Sequence, residues 1–274
     1  MLFNSLEFLV FLVPVLLVYF RLNTRGQNAF LLAASYLFYG WWDWRFLSLI
    51  WISTFVDFVC AQVMVANRDN PKRKWALWAS LAANLGLLGT FKYLNFFAET
   101  FAEAMMSIGI SVSVPTLEWV LPVGISFYTF QTLSYTIDVY RGDTKPTKDL
   151  LNFALYVAFF PQLVAGPIEK SHRFLPQVEN PRTPSWEQWS EGVHLMVWGF
   201  FKKVFVADRA ALIVTQIFHS GETDLTGFQY LIGAYAFAWQ IYCDFSGYTD
   251  IARGVARLMG FDLMLNFRMP YLSP

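Results

Sequence analysis

Six polar residues crowd into IYCDFSGYTDIARGVAR, residues 241–257: Asp244, Ser246, Tyr248, Asp250, Arg253 and Arg257. The stretch just upstream, Phe228 to Trp239, is almost wholly apolar and aromatic. At helical spacing Ser246, Asp250, Arg253 and Arg257 follow i, i+4, i+7 and i+11 and share one face. Asp250 and Arg253, three apart, can pair. Gly247 and Gly254 form a smooth strip beside that face, where a second helix can approach closely. Asp244 lies deeper in the apolar part and needs a partner or water of its own. A salt-bridged helix end emerging into the cytoplasm accounts for some of these residues. A polar tunnel entering the membrane accounts for all six.

Two further stretches combine polar side chains with breaks in a greasy background. In FFPQLVAGPIEK (159–170), Pro161, Gly166 and Pro167 interrupt regular helix. Broken backbone at membrane depth is tolerated only inside protein or along a cavity, and Gln162 can satisfy the backbone groups so freed. A re-entrant element lining a cavity is expected there. In LPVGISFYTFQTLSYTIDVYRG (121–142), Ser126, Thr129, Gln131, Ser134 and Tyr135 spread around a helix that begins after Pro122 and Gly124. Helix–helix hydrogen bonding and a substrate-facing role are both open for them.

Several chemistries are missing. Phe245-Ser246-Gly247 is no nucleophile elbow, because Asp244 takes the place of the first glycine. No Gly-rich phosphate loop, HExxH or C-x-x-C pattern occurs, and a protein-bound metal or cofactor is not expected. His194, between apolar neighbours, reads as a packed histidine, whereas His172 and His219 read as loop or interfacial residues. Cys60 and Cys243 read as buried thiols.

The elements that must position these residues follow from composition. Of 274 residues 56% are hydrophobic and 15% charged, with a mean hydropathy of +0.40. Soluble domains carry about 25% charged residues. The expected fold class is all-α: a polytopic transmembrane helical protein with re-entrant or broken helices around a central cavity, in one membrane domain, 1–274. Crossing a ~30 Å core takes about 20 residues. Candidate spans are Ser5–Phe20, Gln27–Tyr39, Phe46–Val65, Trp75–Phe97 and Glu118–Val139. A half-crossing follows at Leu150–Val164, and long helical regions at Trp186–Phe218 and Thr226–Gly260. Residues 98–117 suggest an outer loop with an interfacial helix. Loops 21–27, 66–74 and 140–149 hold nine basic residues and the opposite loops only Arg45, which puts the N-terminus outside. Glu7 stands where a cleavable signal would be basic, so the first apolar stretch reads as a retained span. Trp41, Trp42 and Trp44 read as an aromatic belt. Net charge is zero, and no nucleic-acid partner is expected.

These polar stretches, together with GFFKKVFVADR (199–209), FKYLNFF (91–97) and the end of the chain, LMGFDLMLNFRMPYLSP (258–274), resemble the membrane-bound O-acyltransferase family. The resemblance implies transfer of an acyl group, acetyl in this case, from a cytoplasmic thioester donor (acetyl-CoA or an acyl carrier) through a membrane tunnel. The acceptor would be a hydroxyl of an exported polysaccharide such as alginate, reached through extracytoplasmic relay proteins. Membrane lipid surrounds such proteins, and the compartment would be the bacterial inner membrane. In that family the catalytic histidine lies in a Gly-Leu-Trp-His-like segment well after the NFRMPYLSP stretch. The resemblance thus implies no catalytic residue in this chain and an expected histidine beyond Pro274. The chain looks like the N-terminal portion of a longer enzyme and inactive alone. Asp244, Ser246, Tyr248, Asp250 and Arg253 are expected to wall the tunnel or fix its architecture. Gln131, Gln162 and the break at Pro167 would help shape it. A transporter is the first rival, although no inverted repeat is visible. A non-catalytic scaffold lacking the family histidine is the second.

Overall fold

The computed structural model describes residues 1–67, 69–111, 122–163, 166–167, 169–219, 225–266 and 271. Those residues form helices and connecting loops, with no strand among them. The helices are α1 (Leu6–Tyr19), α2 (Thr24–Asp43), α3 (Leu47–Ala66), α4 (Lys72–Leu88), α5 (Leu94–Ser107), α6 (Ile125–Arg141), α7 (Leu150–Ala158), α8 (Phe160–Leu163), α9 (Ser171–Glu179), α10 (Trp186–Phe200), α11 (Asp208–Phe218) and α12 (Gly227–Leu258). π-helical turns, Gly89–Tyr93 and Phe201–Ala207, join α4 to α5 and α10 to α11.

Helix starts follow their caps. Ser5 and Asn23 accept the amides of Phe8 and Gly26, and Ser185 and Thr226 each form a capping box with the glutamine three residues on. Residues Thr24–Ala66, α2 and α3 with the short turn between them, are long and apolar enough to cross a membrane, while α1 is a shorter apolar helix. Large apolar side chains stand exposed on many helices, among them Val10, Trp51, Trp78, Phe205, Tyr235 and Trp239. Such a surface suits hydrocarbon rather than water. Trp41, Trp42 and Trp44 are exposed at the end of α2, as a belt requires, and both cysteines are buried. Helix α5 already occupies 94–107, so the expected loop begins later. Residues 112–121, which include most of SVSVP and the start of the Glu118 span, lie outside the described residues, as do 267–270 and 272–274. Pro274, beyond which the family histidine is expected, therefore lies outside them too.

α3 packs on α4 and α6, α2 on α7 and α8, and α12 on α10 and α11. The broken element α7–α8 runs between these groups. Phe153 to Leu163 is buried throughout, and Phe159 packs on Phe174 and Phe261. The break is thus enclosed by protein side chains. Ser35 Oγ accepts the Phe160 amide (3.0 Å). Gly124, at φ +76° before α6, brings its backbone against the Leu163 carbonyl, where a Cβ would come within 2.8 Å.

Arg182 ties the N-terminal helices to the end of α12. It donates to Tyr19 Oη (2.9 Å), Asn28 Oδ1 (2.5 Å), Gln27 Oε1 (3.3 Å) and the Gln177 and Val178 carbonyls (3.0 and 3.1 Å). Its guanidinium lies 4.5 Å from the Phe261 ring centre, and Tyr19 Oη donates onward to the Met259 carbonyl (2.8 Å). Burial pulls the guanidinium below its ordinary value, and Tyr19 opposes the shift. Lysine cannot reproduce a planar fork of five donors. Arg182→Lys is expected to leave buried acceptors unpaired, at about 1–3 kcal/mol, seen as earlier loss of the monodisperse peak when the detergent-solubilised protein is heated.

Candidate functional site

The polar face of α12 meets the π-helical turn after α10. Gly199 and Gly247 stack backbone on backbone, as do Gly192 and Gly254, so the two helices touch without side chains between them. In a π turn consecutive side chains diverge less around the axis than in an α turn, and Lys202 and Lys203 both reach α12. Lys202 Nζ donates to Ser246 Oγ (2.5 Å) and to Asp250 Oδ2. Arg253 Nη1 lies 3.6 Å from Asp250 Oδ1. Lys203 Nζ donates to Asp208 Oδ1 (2.7 Å), lies 3.0 Å from Asp244 Oδ1 and stands over the Tyr248 ring. Tyr248 Oη donates to Asn4 Oδ1 (3.0 Å), which fastens α12 to the N-terminus. Farther along, Arg257 bridges Glu191 and Asp262 (3.2 Å each), and Arg173 reaches Asp262 (3.0 Å).

The result is a ladder of alternating charge along α12. Ser246, Asp250 and Lys202 are buried, while Asp244, Tyr248 and Arg253 are half-buried. Sequence reasoning found the acidic and arginine rungs and the Asp250–Arg253 pair. Lys202 and Lys203 entered it only within GFFKKVFVADR, as part of the family resemblance. The usable signal was there: two ammonium groups inside an apolar stretch need carboxylates, and DFSGYTD offers them.

Gln131 and Gln162 belong to a separate cluster. Both side-chain amides donate to the Tyr156 carbonyl (2.6 and 3.0 Å). That carbonyl is one of the acceptors stranded when α7 stops at Ala158, so Gln162 does satisfy freed backbone. The Oε1 atoms of both glutamines are buried without a partner. Pro167 is buried just beyond, next to Gly166, whose amide donates to the Gln162 carbonyl (3.1 Å). Glu169, also buried, accepts the Met264 amide.

His194 is exposed, contrary to the packed position expected of it, because α10 packs on α12 through Gly192 and Gly199 and His194 stands beside that contact rather than in it. It lines a cavity of about 410 Å³ with Ser190, Glu191, Leu195, Arg253 and Arg257, at the end of the ladder. A more apolar groove of about 670 Å³ runs between α1 and α2, lined by Val10, Phe11, Pro14, Phe30 and Leu37 among others. No cluster of potential metal ligands occurs among the described residues.

This arrangement combines a charge ladder with one buried rung, Lys202–Asp250, a broken buried helix and a close-packed glycine seam. No family model matches the chain. Individual proteins do. The chain is 41% identical over 276 residues to the probable alginate O-acetylase AlgI of Pseudomonas syringae pv. tomato, covering all of itself and 52% of that protein. The chain belongs to the membrane-bound O-acyltransferase family. Another relative is the peptidoglycan O-acetyltransferase of Helicobacter pylori, 32% identical over 304 residues, covering 99% of the chain and 56% of that protein. The teichoic acid D-alanyltransferase of Bacillus subtilis is 27% identical over 164 residues, covering 55% of the chain and 38% of that protein. The chain spans about half the length of the curated O-acyltransferases it matches end to end.

Proposed function

We propose that the protein O-acetylates an exported polysaccharide, with alginate the leading acceptor, taking the acetyl group from a cytoplasmic thioester. The observation that carries this reading is identity along the whole chain to a protein named as an alginate O-acetylase. A second O-acetyltransferase and a D-alanyltransferase among the relatives favour acyl transfer to a cell-envelope polymer over transport. The protein is placed as a multi-pass protein of the bacterial inner membrane with its N-terminus outside. The basic loops then face the cytoplasm, as does the end of α12 that carries Arg257. Extracytoplasmic relay proteins would take the acetyl group onward. The ladder fixes the position of α12 and supplies a polar wall. It supplies no free base: within it, Asp208, Asp244, Asp250, Glu191 and Asp262 each lie within 4 Å of a cation. None of these carboxylates is assigned the part of the base that deprotonates the attacking hydroxyl; the family resemblance implies a histidine for it.

The test is a gene deletion complemented with the intact protein. Ester-linked acetate on the exported polymer should vanish in the deletion and return on complementation. Membranes holding the protein should also release free thiol from an acetyl thioester only when acceptor is present. Unchanged polymer acetylation in the deletion would overturn the reading.

A further inference from the structure

The groove between α1 and α2 lies apart from the ladder and from the broken helix. Along α1 its wall is Leu6, Val10, Pro14 and Val18, spaced i, i+4, i+8 and i+12. Along α2 it is Phe30, Ala33, Leu37 and Trp41, spaced i, i+3, i+7 and i+11. Ala33 stands exposed between Phe30 and Leu37, and its small side chain gives the groove its depth. Leu6, Val10, Leu37 and Trp41 are exposed around it, so the groove opens toward hydrocarbon rather than water. From Leu6 to Val18 a helix rises about 18 Å, close to the ~15 Å depth of one leaflet of a ~30 Å hydrocarbon core.

The groove changes character at one end. Met1, Glu7 and Trp41 line both it and a second cavity of about 360 Å³, which continues over Ser5, Tyr39 and Trp42. That end lies where α1 starts and α2 stops, level with the belt tryptophans. Glu7 is exposed there, and among the described residues no cation pairs with it within 4 Å. The Met1 ammonium, at the same end, donates to the Phe38 carbonyl (3.0 Å) instead. The apolar furrow is thus closed at headgroup level by one charge of each sign. A zwitterionic phospholipid has the matching polarity: acyl chain in the furrow, phosphate toward the Met1 ammonium, headgroup ammonium on Glu7. Ethanolamine supplies N–H donors for a charge-assisted bond to the carboxylate, and choline has none. A glycerol headgroup leaves the lipid with a net negative charge facing Glu7.

We propose that this groove binds one ethanolamine phospholipid, with an acyl chain between α1 and α2 and the ammonium on Glu7. The intact protein is delipidated in detergent and titrated with phosphatidylethanolamine or phosphatidylglycerol of identical acyl chains, and the first bound lipid is followed by native mass spectrometry. Phosphatidylethanolamine should bind about tenfold tighter, the scale of one charge-assisted hydrogen bond. Glu7→Gln, at an exposed position, should bring the two lipids to equal affinity without loss of folded protein. Ala33→Phe, which fills the groove from its exposed side, should weaken both lipids together. Equal affinities in the parent protein, or a preference that survives Glu7→Gln, would overturn the site. So would binding untouched by Ala33→Phe, which would place the lipid elsewhere, or a parent protein that retains neither lipid.

Discussion

Lys202→Ala should remove most of the folded protein from the membrane, while Lys202→Met combined with Asp250→Leu should restore much of it. Lys202 and Asp250 are each about nine-tenths buried and satisfy one another across the α10–α12 seam. Removing one partner of such a pair leaves the other desolvated and alone, at about 3–5 kcal/mol. That is a large share of the stability of a typical domain. Replacing both with apolar groups of similar volume removes the stranded charge along with its partner, and is often neutral. Ser246 and Arg253 soften the effect of Lys202→Ala only partly, since Arg253 lies 3.6 Å from the carboxylate at its nearer contact. Abundance measured by in-gel fluorescence of a tagged protein separates the two outcomes. A double variant as poor as the single one would mean that the pair specifies the helix contact rather than neutralising itself. Polymer acetylation read on the same samples separates stability from function. Asp250→Ala strands Lys202 in the same way and should also lower abundance, but acetylation should fall further than abundance, because the carboxylate also holds Arg253, which lines the 410 Å³ cavity. Equal losses would leave Asp250 a purely structural residue.

The helices were legible where one apolar run makes one helix. Thr226 to Gly260 emerged as a single α12 with its capping box, and the break near Pro161 emerged between α7 and α8. Gln162 was assigned to freed backbone from sequence alone, and it holds the Tyr156 carbonyl. The contacts that were missed share a physical origin. Asp57, Asn84 and Thr132 come from three helices and meet in one buried hydrogen-bonded cluster, and nothing in one sequence indicates that their polar faces coincide. Arg182, in NPRTPSW, has the composition of an exposed loop. Its burial depends on Tyr19, Asn28 and Phe261 arriving from distant parts of the chain. The π turn at Phe201–Ala207 leaves no clear mark in composition, yet it decides that both adjacent lysines reach α12. The helix inventory is thus a local property of this sequence, and the candidate site is a property of how helices meet.

That dependence is sharpest at the glycine seam, and Gly254→Leu should abolish folding of the protein altogether. A Cβ on Gly254 would come within 2.5 Å of the Gly192 carbonyl oxygen and 2.9 Å of the Met196 amide nitrogen, both backbone atoms. A Cβ on Gly199 meets the Gly247 carbonyl oxygen at 2.6 Å. Backbone cannot rotate aside as a side chain can, so α10 and α12 must move apart. Overpacking a tight core costs about 1–3 kcal/mol, occasionally more. Here the separation would also lengthen the Lys202–Asp250 and Lys203–Asp244 contacts, which span the same seam. The steric and electrostatic losses therefore add at one place, and Gly254→Leu should exceed Lys202→Ala in effect. Gly254→Ala should fall between wild type and Gly254→Leu, since a methyl group needs a smaller displacement. Gly86 provides the contrast: it lies inside α4, and a methyl carbon placed there would meet nothing within 4 Å. Gly86→Ala should leave abundance unchanged or raise it, because alanine loses less backbone entropy in a helix, by about 0.5–1 kcal/mol. If Gly254→Leu accumulated to wild-type levels with the melting temperature of the parent, the close approach of α10 to α12 would not be what holds the charged rungs in place.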